Sequence, residues 1–175
     1  LNTFTTDEAV LPTRGGDWYD GGLWQDVFLH KWGTKNDLVK GSWDYLYRVI
    51  AQANKSLDKL NEILAKDPEN TSVPKYISEV RAFRALYYYY LLDMFARVPL
   101  VTSSTTAMAD VEQSERSVVF TFVKTELEES VADLSDAHSN LPGEYYGRIT
   151  KPVAYFLLAK LALNAEIYTD DNWTD

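Results

Sequence analysis

Apolar residues recur at helical spacing in four stretches of the chain, and a long N-terminal segment lacks any such period. The densest stretch runs from Pro74 to Thr102. Val80, Phe83, Tyr87, Tyr90, Leu91 and Met94 lie on one side, while Ala82, Leu86, Tyr89 and Leu92 make the reverse side apolar too. A helix of that kind must be covered by neighbours. Pro74 suits its entry, and Val98-Pro99 ends it, because the residue before a proline is pushed out of the α region. The length is about five to six turns. Arg81 and Arg84 sit one turn apart and Asp93 precedes Arg97 by four positions, so these charges are expected to surface or to find partners. Tyr87 to Tyr90 point in four directions, which excludes a single stacking platform and demands partners for the hydroxyls that turn inward.

Three further helices follow from the same pattern. Ser42 can cap one in which Trp43, Leu46, Tyr47, Ile50, Asn54, Leu57, Leu60 and Leu64 form a stripe ending near Ala65. Asn54 is the polar exception on that stripe and is expected to bond a neighbour. The connector KDPENTSV then makes an αα-hairpin with the Pro74 helix. A third helix spans Ser114 or Ser117 to Leu134, burying Val119, Phe122, Val123, Leu127, Val131 and Leu134 and leaving Glu126, Glu128, Glu129 and Asp133 on a solvated face or its margins. Thr150 and Pro152 announce a fourth, with Val153, Phe156, Leu157, Leu161 and Tyr168 on one side and Ala154, Leu158 and Ala165 beside it. Helices paired in this way, about 30 to 40 residues apart, have the layout of a helical-repeat array, although the tetratricopeptide consensus agrees only at scattered positions. The fold class is mostly α, with residues 42–175 forming four long helices in repeat-like pairs and residues 1–41 an irregular region.

That irregular region changes the picture. LPTRGGDWYDGG reads as a shaped loop, and GLWQDVFLHKWGTKND holds a helical turn or two around Trp24, Val27, Phe28 and Trp32, stopped by Gly33. A long segment without regular structure in a compact domain is functional or disordered, and its aromatics argue against disorder. The net charge of −9 argues against nucleic acid and against direct adhesion to anionic lipid. No apolar run is long enough to span a bilayer. The absence of cysteine excludes disulfides, thiolate catalysis and zinc–thiolate sites. Aromatics are abundant, with five Trp and twelve Tyr, and those outside the helices are candidates for a binding surface.

The segment EVRAFRALYYYYLLDMFARVPLV resembles a signature of the SusD-like (RagB) family of outer-membrane glycan-binding lipoproteins, an Arg-aromatic-x-Arg-Ala-x-Tyr-Tyr-Tyr helix ending in a Gly-x-Val-Pro-Leu turn. Arg81, Phe83, Arg84, Ala85, Tyr87, Tyr88, Val98, Pro99 and Leu100 fit, and Ala96 replaces the Gly. TTDEAVLPTRGGDWYDGG, WDYLYRVIAQANKSLD and RITKPVAYFLLAKLALNAEIY match further family segments in order. The resemblance implies tetratricopeptide-like helix pairs supporting long ligand-binding loops. It also implies a non-catalytic function at the cell surface, in which oligosaccharide or polysaccharide is captured and delivered to a SusC-like TonB-dependent outer-membrane transporter. Members are held to the membrane by a lipidated N-terminal Cys that this chain lacks, so the chain is expected to be an N-terminal fragment without its anchor and most of its second half.

By the same resemblance the N-terminal ligand contacts fall near Arg14, Trp32 and Asn36, and the loop chemistry adds Asp17 and Trp18 as candidate glycan-binding residues. Aromatic rings would stack on sugar faces while the polar groups bond hydroxyls. The alternative is structural: Trp24 and Trp32 pin the loop to the helices, and Arg14 bonds loop carbonyls. Catalysis is not expected. Asp17 and Asp20 are close in sequence, but neighbouring acids in a Gly-rich loop more often bond backbone amides than form a glycosidase pair. His30 and His138 are isolated, so no metal site or triad is assembled, and no cofactor is implied. Asp170, Asp171, Asn172 and Asp175 resemble part of a calcium loop without a demonstrable sixth-position Gly or twelfth-position Glu, so no metal is assigned there. The rival function is a helical-repeat scaffold binding a peptide or protein. It requires an open groove lined by Asn54, Arg84 or Tyr88, whereas glycan binding requires Trp18 or Trp32 open to solvent.

Overall fold

A computed structural model describes residues 2–170. The chain divides into two compact units, Leu1–Tyr47 and Arg48–Asp175, with the boundary inside one long helix. The first unit holds 3-10 turns at Asn2–Thr5 and Asp20–Gly22, the short helix α1 (Leu23–Phe28), and the start of α2 (Asp37–Lys66). The helix expected around Trp32 stops earlier, since His30 adopts a φ of 56° that no helix accommodates. α2 also begins before the expected Ser42 cap. Asn36 Oδ1 accepts the amides of Leu38 (3.0 Å) and Val39 (3.3 Å), satisfying donors that the first turn leaves orphaned. Ser42 lies inside the helix instead, its hydroxyl donating to the Leu38 carbonyl one turn back.

The second unit contains the rest of α2, then α3 (Val73–Phe95), α4 (Arg116–Ser130), α5 (Lys151–Leu163) and α6 (Ala165–Thr169). The mostly α class is therefore observed. α3 lies along α4, and α4 also meets α5 and α6. Along α2, Leu46, Ile50, Ala53, Asn54 and Leu57 are buried at the expected helical spacing. α3 is anchored by Pro74 in its first turn and by Asn70, whose Oδ1 accepts the amides of Ser72 and Val73. Its best-covered face carries Ala82, Ala85, Tyr88, Leu91 and Leu92. Tyr90 is exposed, and Phe83, Tyr87 and Tyr90 run along the helix with successive ring separations of 4.9 and 6.4 Å.

Of the charges expected on α3 to surface or to find partners, Arg81 and Arg84 both find partners on α4, and Arg84 is drawn into the core. Arg84 is 6% exposed and Glu126 of α4 is 5% exposed, so Glu126 belongs to the core and not to the solvated face on which its acidic neighbours placed it. Arg84 Nε and Nη2 donate to Glu126 Oε2 at 3.2 and 2.5 Å, and Arg81 Nε donates to Glu126 Oε1 at 2.8 Å. Two guanidiniums thus share one carboxylate, while Arg81 also reaches the exposed Glu129. Arg84 Nη1 donates in addition to Asn54 Oδ1 (2.8 Å) and to the Thr102 carbonyl (2.9 Å). A buried ion pair survives only when its remaining hydrogen-bonding capacity is met in this way.

The same cluster fixes the chain after α3. Asn54 Nδ2 and the Tyr88 hydroxyl both donate to the Val101 carbonyl, and the Val101 amide donates back to the Tyr88 oxygen. Burial pushes the Tyr88 hydroxyl up to about 12. Because that value is raised, its contribution to stability is complete below pH 10 and is lost as pH rises from 10 towards 12. Asp58 Oδ2 accepts the amide and hydroxyl of Ser104, and the Ser104 hydroxyl bond leads in holding this carboxyl below the usual range. Two short strands, β1 (Val98–Pro99) and β2 (Gln113–Ser114), pair antiparallel and close a segment that the sequence presents only as a loop.

The structure differs from two further expectations. The Asp93–Arg97 pair does not form, because α3 ends at Phe95 and Ala96 turns to a φ of 59° between them. Arg97 pairs with Glu115, and Asp93 accepts the Tyr168 hydroxyl at 2.8 Å. In α5 the buried positions are Ala154, Leu157 and Leu161, continued by Ala165 and Tyr168, whereas Phe156 is 64% exposed. That helix is apolar nearly all round, so spacing alone could not choose its inner face.

Candidate functional site: the N-terminal aromatic loop

The five candidate residues all lie in the first unit. Arg14 and Asp17 exchange backbone hydrogen bonds, Arg14 N to Asp17 O at 3.2 Å and Asp17 N to Arg14 O at 3.0 Å. Gly15 and Gly16 form the apex, and Gly15 takes a φ of 62° that glycine adopts without steric cost. The turn presents both charged side chains to solvent. Neither makes a hydrogen bond or ion pair among the described residues, so loop carbonyls are not what the Arg14 guanidinium serves.

Trp18 follows immediately in a left-handed conformation, with a φ of 58° and 57% of its surface exposed. Its ring meets Trp24 edge to face at 6.3 Å. Trp24 is the inner member of the pair. It packs on Phe4 at 5.0 Å, and its indole N–H donates to Asp20 Oδ2 at 2.7 Å. Asp20 is therefore an indole acceptor, placed by its own positive φ of 42°. Gln25 of α1 donates to the Thr13 hydroxyl, tying the helix to the loop before the Arg14 turn.

Trp32 is 38% exposed and lies against His30 with ring centroids 5.2 Å apart. His30 looks isolated in the sequence, yet its Nε2 is 2.7 Å from the Thr5 carbonyl. The turn at Asn2–Thr5 thus supports both aromatic groups, Phe4 against Trp24 and Thr5 against His30. Nothing local in the sequence signals these supports, since His30 and Thr5 are 25 positions apart. Asn36 lies beyond a Gly33–Asn36 turn and spends its Oδ1 on capping α2, which leaves its Nδ2 for any other partner. Trp18, Arg14 and Asp17 are brought together by one turn; Trp32 lies against His30 and Asn36 caps α2, and no contact joins those two.

This arrangement offers open rings beside uncommitted polar groups. It meets the geometric condition set for sugar stacking, with both Trp18 and Trp32 open to solvent. The condition set for a peptide groove is not met. Asn54, Arg84 and Tyr88 are 1%, 6% and 0% exposed and bond the Val101–Thr102 backbone or one another. Among the described residues no cluster of His, Asp and Glu could hold a metal ion. Residues 171–175, which include most of the acidic C-terminal group, lie outside the described residues. No helix among the described residues is long and apolar enough to cross a membrane.

Comparisons with known proteins agree in one direction. A sequence model of the SusD-like family, described as starch-binding and associating with outer membrane, matches residues 2–163. The starch-binding protein SusD of Bacteroides thetaiotaomicron is 30% identical over 92 residues, covering 53% of this chain and 16% of that protein. A SusD-like protein of Bacteroides ovatus is 23% identical over 152 residues, covering 86% of this chain and 27% of its own length. The solved structure of a laminarin binding SusD-like protein superposes with a TM-score of 0.72 at 27% identity, over 87% of this chain and 32% of that one. The chain therefore spans about a sixth to a third of the length of these three relatives. With the family signature spread over nearly all of its length, this chain belongs to the SusD-like family.

Proposed function

We propose that the protein to which this chain belongs is a non-catalytic, surface-exposed glycan-binding protein of the outer membrane that captures oligosaccharide and passes it to a SusC-like TonB-dependent transporter. The observation that carries this reading is the pair of open indoles, Trp18 and Trp32, each buttressed by a neighbour so that its exposed surface costs little ordering when a sugar ring arrives. Arg14 and Asp17 supply a donor and an acceptor for hydroxyls beside Trp18, and the Asn36 amide nitrogen supplies a further donor. No bond need be broken by such a site. Family membership and the laminarin and starch named for relatives support the ligand class.

Titration of the full-length protein with laminarin and starch oligosaccharides tests it. Loss of one stacking ring is expected to weaken binding about three- to tenfold, by analogy with the 0.5–1.5 kcal/mol of aromatic pair contacts. Trp18→Ala and Trp32→Ala should each do so. Unchanged binding in both variants would remove this loop from the site.

A further inference from the structure

A second place in the molecule has the chemistry of a sugar site and lies wholly within the second unit. The first turns of α3, the turn at residues 131–136 and the loop at residues 144–149 enclose a cavity of about 460 Å³. That size is within the range of small-molecule pockets, about 300–1,000 Å³. Arg148 donates from Nε (2.9 Å) and Nη2 (2.5 Å) to the two oxygens of Glu79, forming a planar fork. The Glu79 bond also holds the guanidinium more firmly charged than usual. Over Tyr145 the same guanidinium stacks at 4.9 Å. Tyr76, half of whose surface is exposed, adds a second ring to the lining. Asp133, which accepts from the Ser78 hydroxyl at 2.9 Å, and Asp136 complete the polar wall.

The lining bears on the class of ligand. Its polarity disfavours an apolar molecule, and its surplus of carboxylates disfavours an anion. The carboxylates form no metal-holding cluster among the described residues. A neutral, hydroxyl-rich ring matches the acceptors of Asp133 and Glu79 set beside the exposed face of Tyr76. Its hydroxyls donate to Asp133, Asp136 and the spare lone pairs of Glu79, and its C–H face lies on Tyr76. We propose that this cleft is a second carbohydrate-binding site, taking one or two sugar units of a glycan. It rests on the glycan reading above but uses none of the loop residues. Because Glu79 and Arg148 hold each other, the hydrogen-bonding groups are fixed before the sugar arrives.

Affinity electrophoresis of the full-length protein in gels cast with laminarin or with soluble starch separates the two sites. The forms to run are the unmodified protein, the Trp18→Ala/Trp32→Ala double variant, and Tyr76→Ala and Ala132→Trp in each background. Tyr76 and Ala132 are both exposed, so neither change disturbs the core, and Ala132→Trp fills the cavity without deleting a contact. Tyr76→Ala and Ala132→Trp should each weaken retention about three- to tenfold in both backgrounds. Retention of the unmodified protein with no effect of either change would overturn this site and leave the loop reading standing. Failure of the unmodified protein to be retained in either gel would overturn both.

Discussion

Ala96 shows how one side chain can record a conflict between backbone and sequence. It terminates α3 at a φ of 59° and ψ of −82°, where the Cβ of an L-residue is crowded. The chain must turn there because Val98 enters β1 and the Val101 backbone is held by Asn54 and Tyr88. Ala96→Gly is therefore expected to raise unfolding free energy by about 1 kcal/mol, the relief of about 1–2 kcal/mol of strain less the extra freedom of glycine in the unfolded chain. Chemical denaturation checks this, and a loss of stability would show that the Ala96 methyl contributes packing that outweighs the strain. The residue scale also shows where the sequence is readable. Asn54 stands out as a polar interruption in an apolar stripe, and the structure gives it the partners such a position needs. Glu126 was equally readable. Positions 119, 123, 126 and 130 share one helical face, but the run of acids around it draws attention to the solvated side.

At the scale of elements, the pair α3 and α4 is joined by apolar packing around a charged centre. Tyr88 meets Phe122 edge to face at 5.2 Å, and Arg84 lies over the same Phe122 ring at 5.4 Å. Removing the shared carboxylate would leave Arg84 buried with only neutral acceptors. Glu126→Ala should cost about 3–5 kcal/mol, whereas the joint change Arg84→Met with Glu126→Leu should restore most of it. Thermal unfolding of the three proteins measures the difference; a loss under about 1 kcal/mol for Glu126→Ala would mean that Asn54 and the Thr102 carbonyl alone satisfy the guanidinium. Helix existence was legible from periodicity, and helix ends were not. α2 starts at an Asn36 cap that competes with the plausible Ser42, and α5 hides its inner face because every side of it is apolar. The strands β1 and β2 are two residues each, too short to carry an alternating pattern.

At the scale of the whole molecule, two kinds of region divide the work. The second unit commits its buried aromatic and charged residues to internal partners: Tyr88 to Val101, Tyr168 to Asp93, and Arg84 to Glu126. Burial, joined by Asp93, raises the Tyr168 hydroxyl, so that side chain stays neutral and structural. The first unit leaves rings and charges uncommitted on a backbone bent through positive φ at Trp18, Asp20 and His30. Strain of that sort is held only where surrounding contacts over-determine it, and it gathers where side chains must be presented in one direction. The composition of the loop was visible in the sequence, but its supports were not, because Phe4 reaches Trp24 and Thr5 reaches His30 only through the fold.

A sugar bound to the loop is expected to lie against Trp18 and Trp32 and not against the indoles that hold the structure together. Indole N–H signals of the full-length protein, followed by NMR through a titration with laminarin oligosaccharide and again with starch oligosaccharide, test it directly. The Trp18 and Trp32 signals should move together to a common saturation point with one of the two ligands, with a smaller shift for Trp24, whose N–H is already bonded to Asp20. A saturating titration that leaves the Trp18 and Trp32 signals in place would mean that the sugar binds elsewhere.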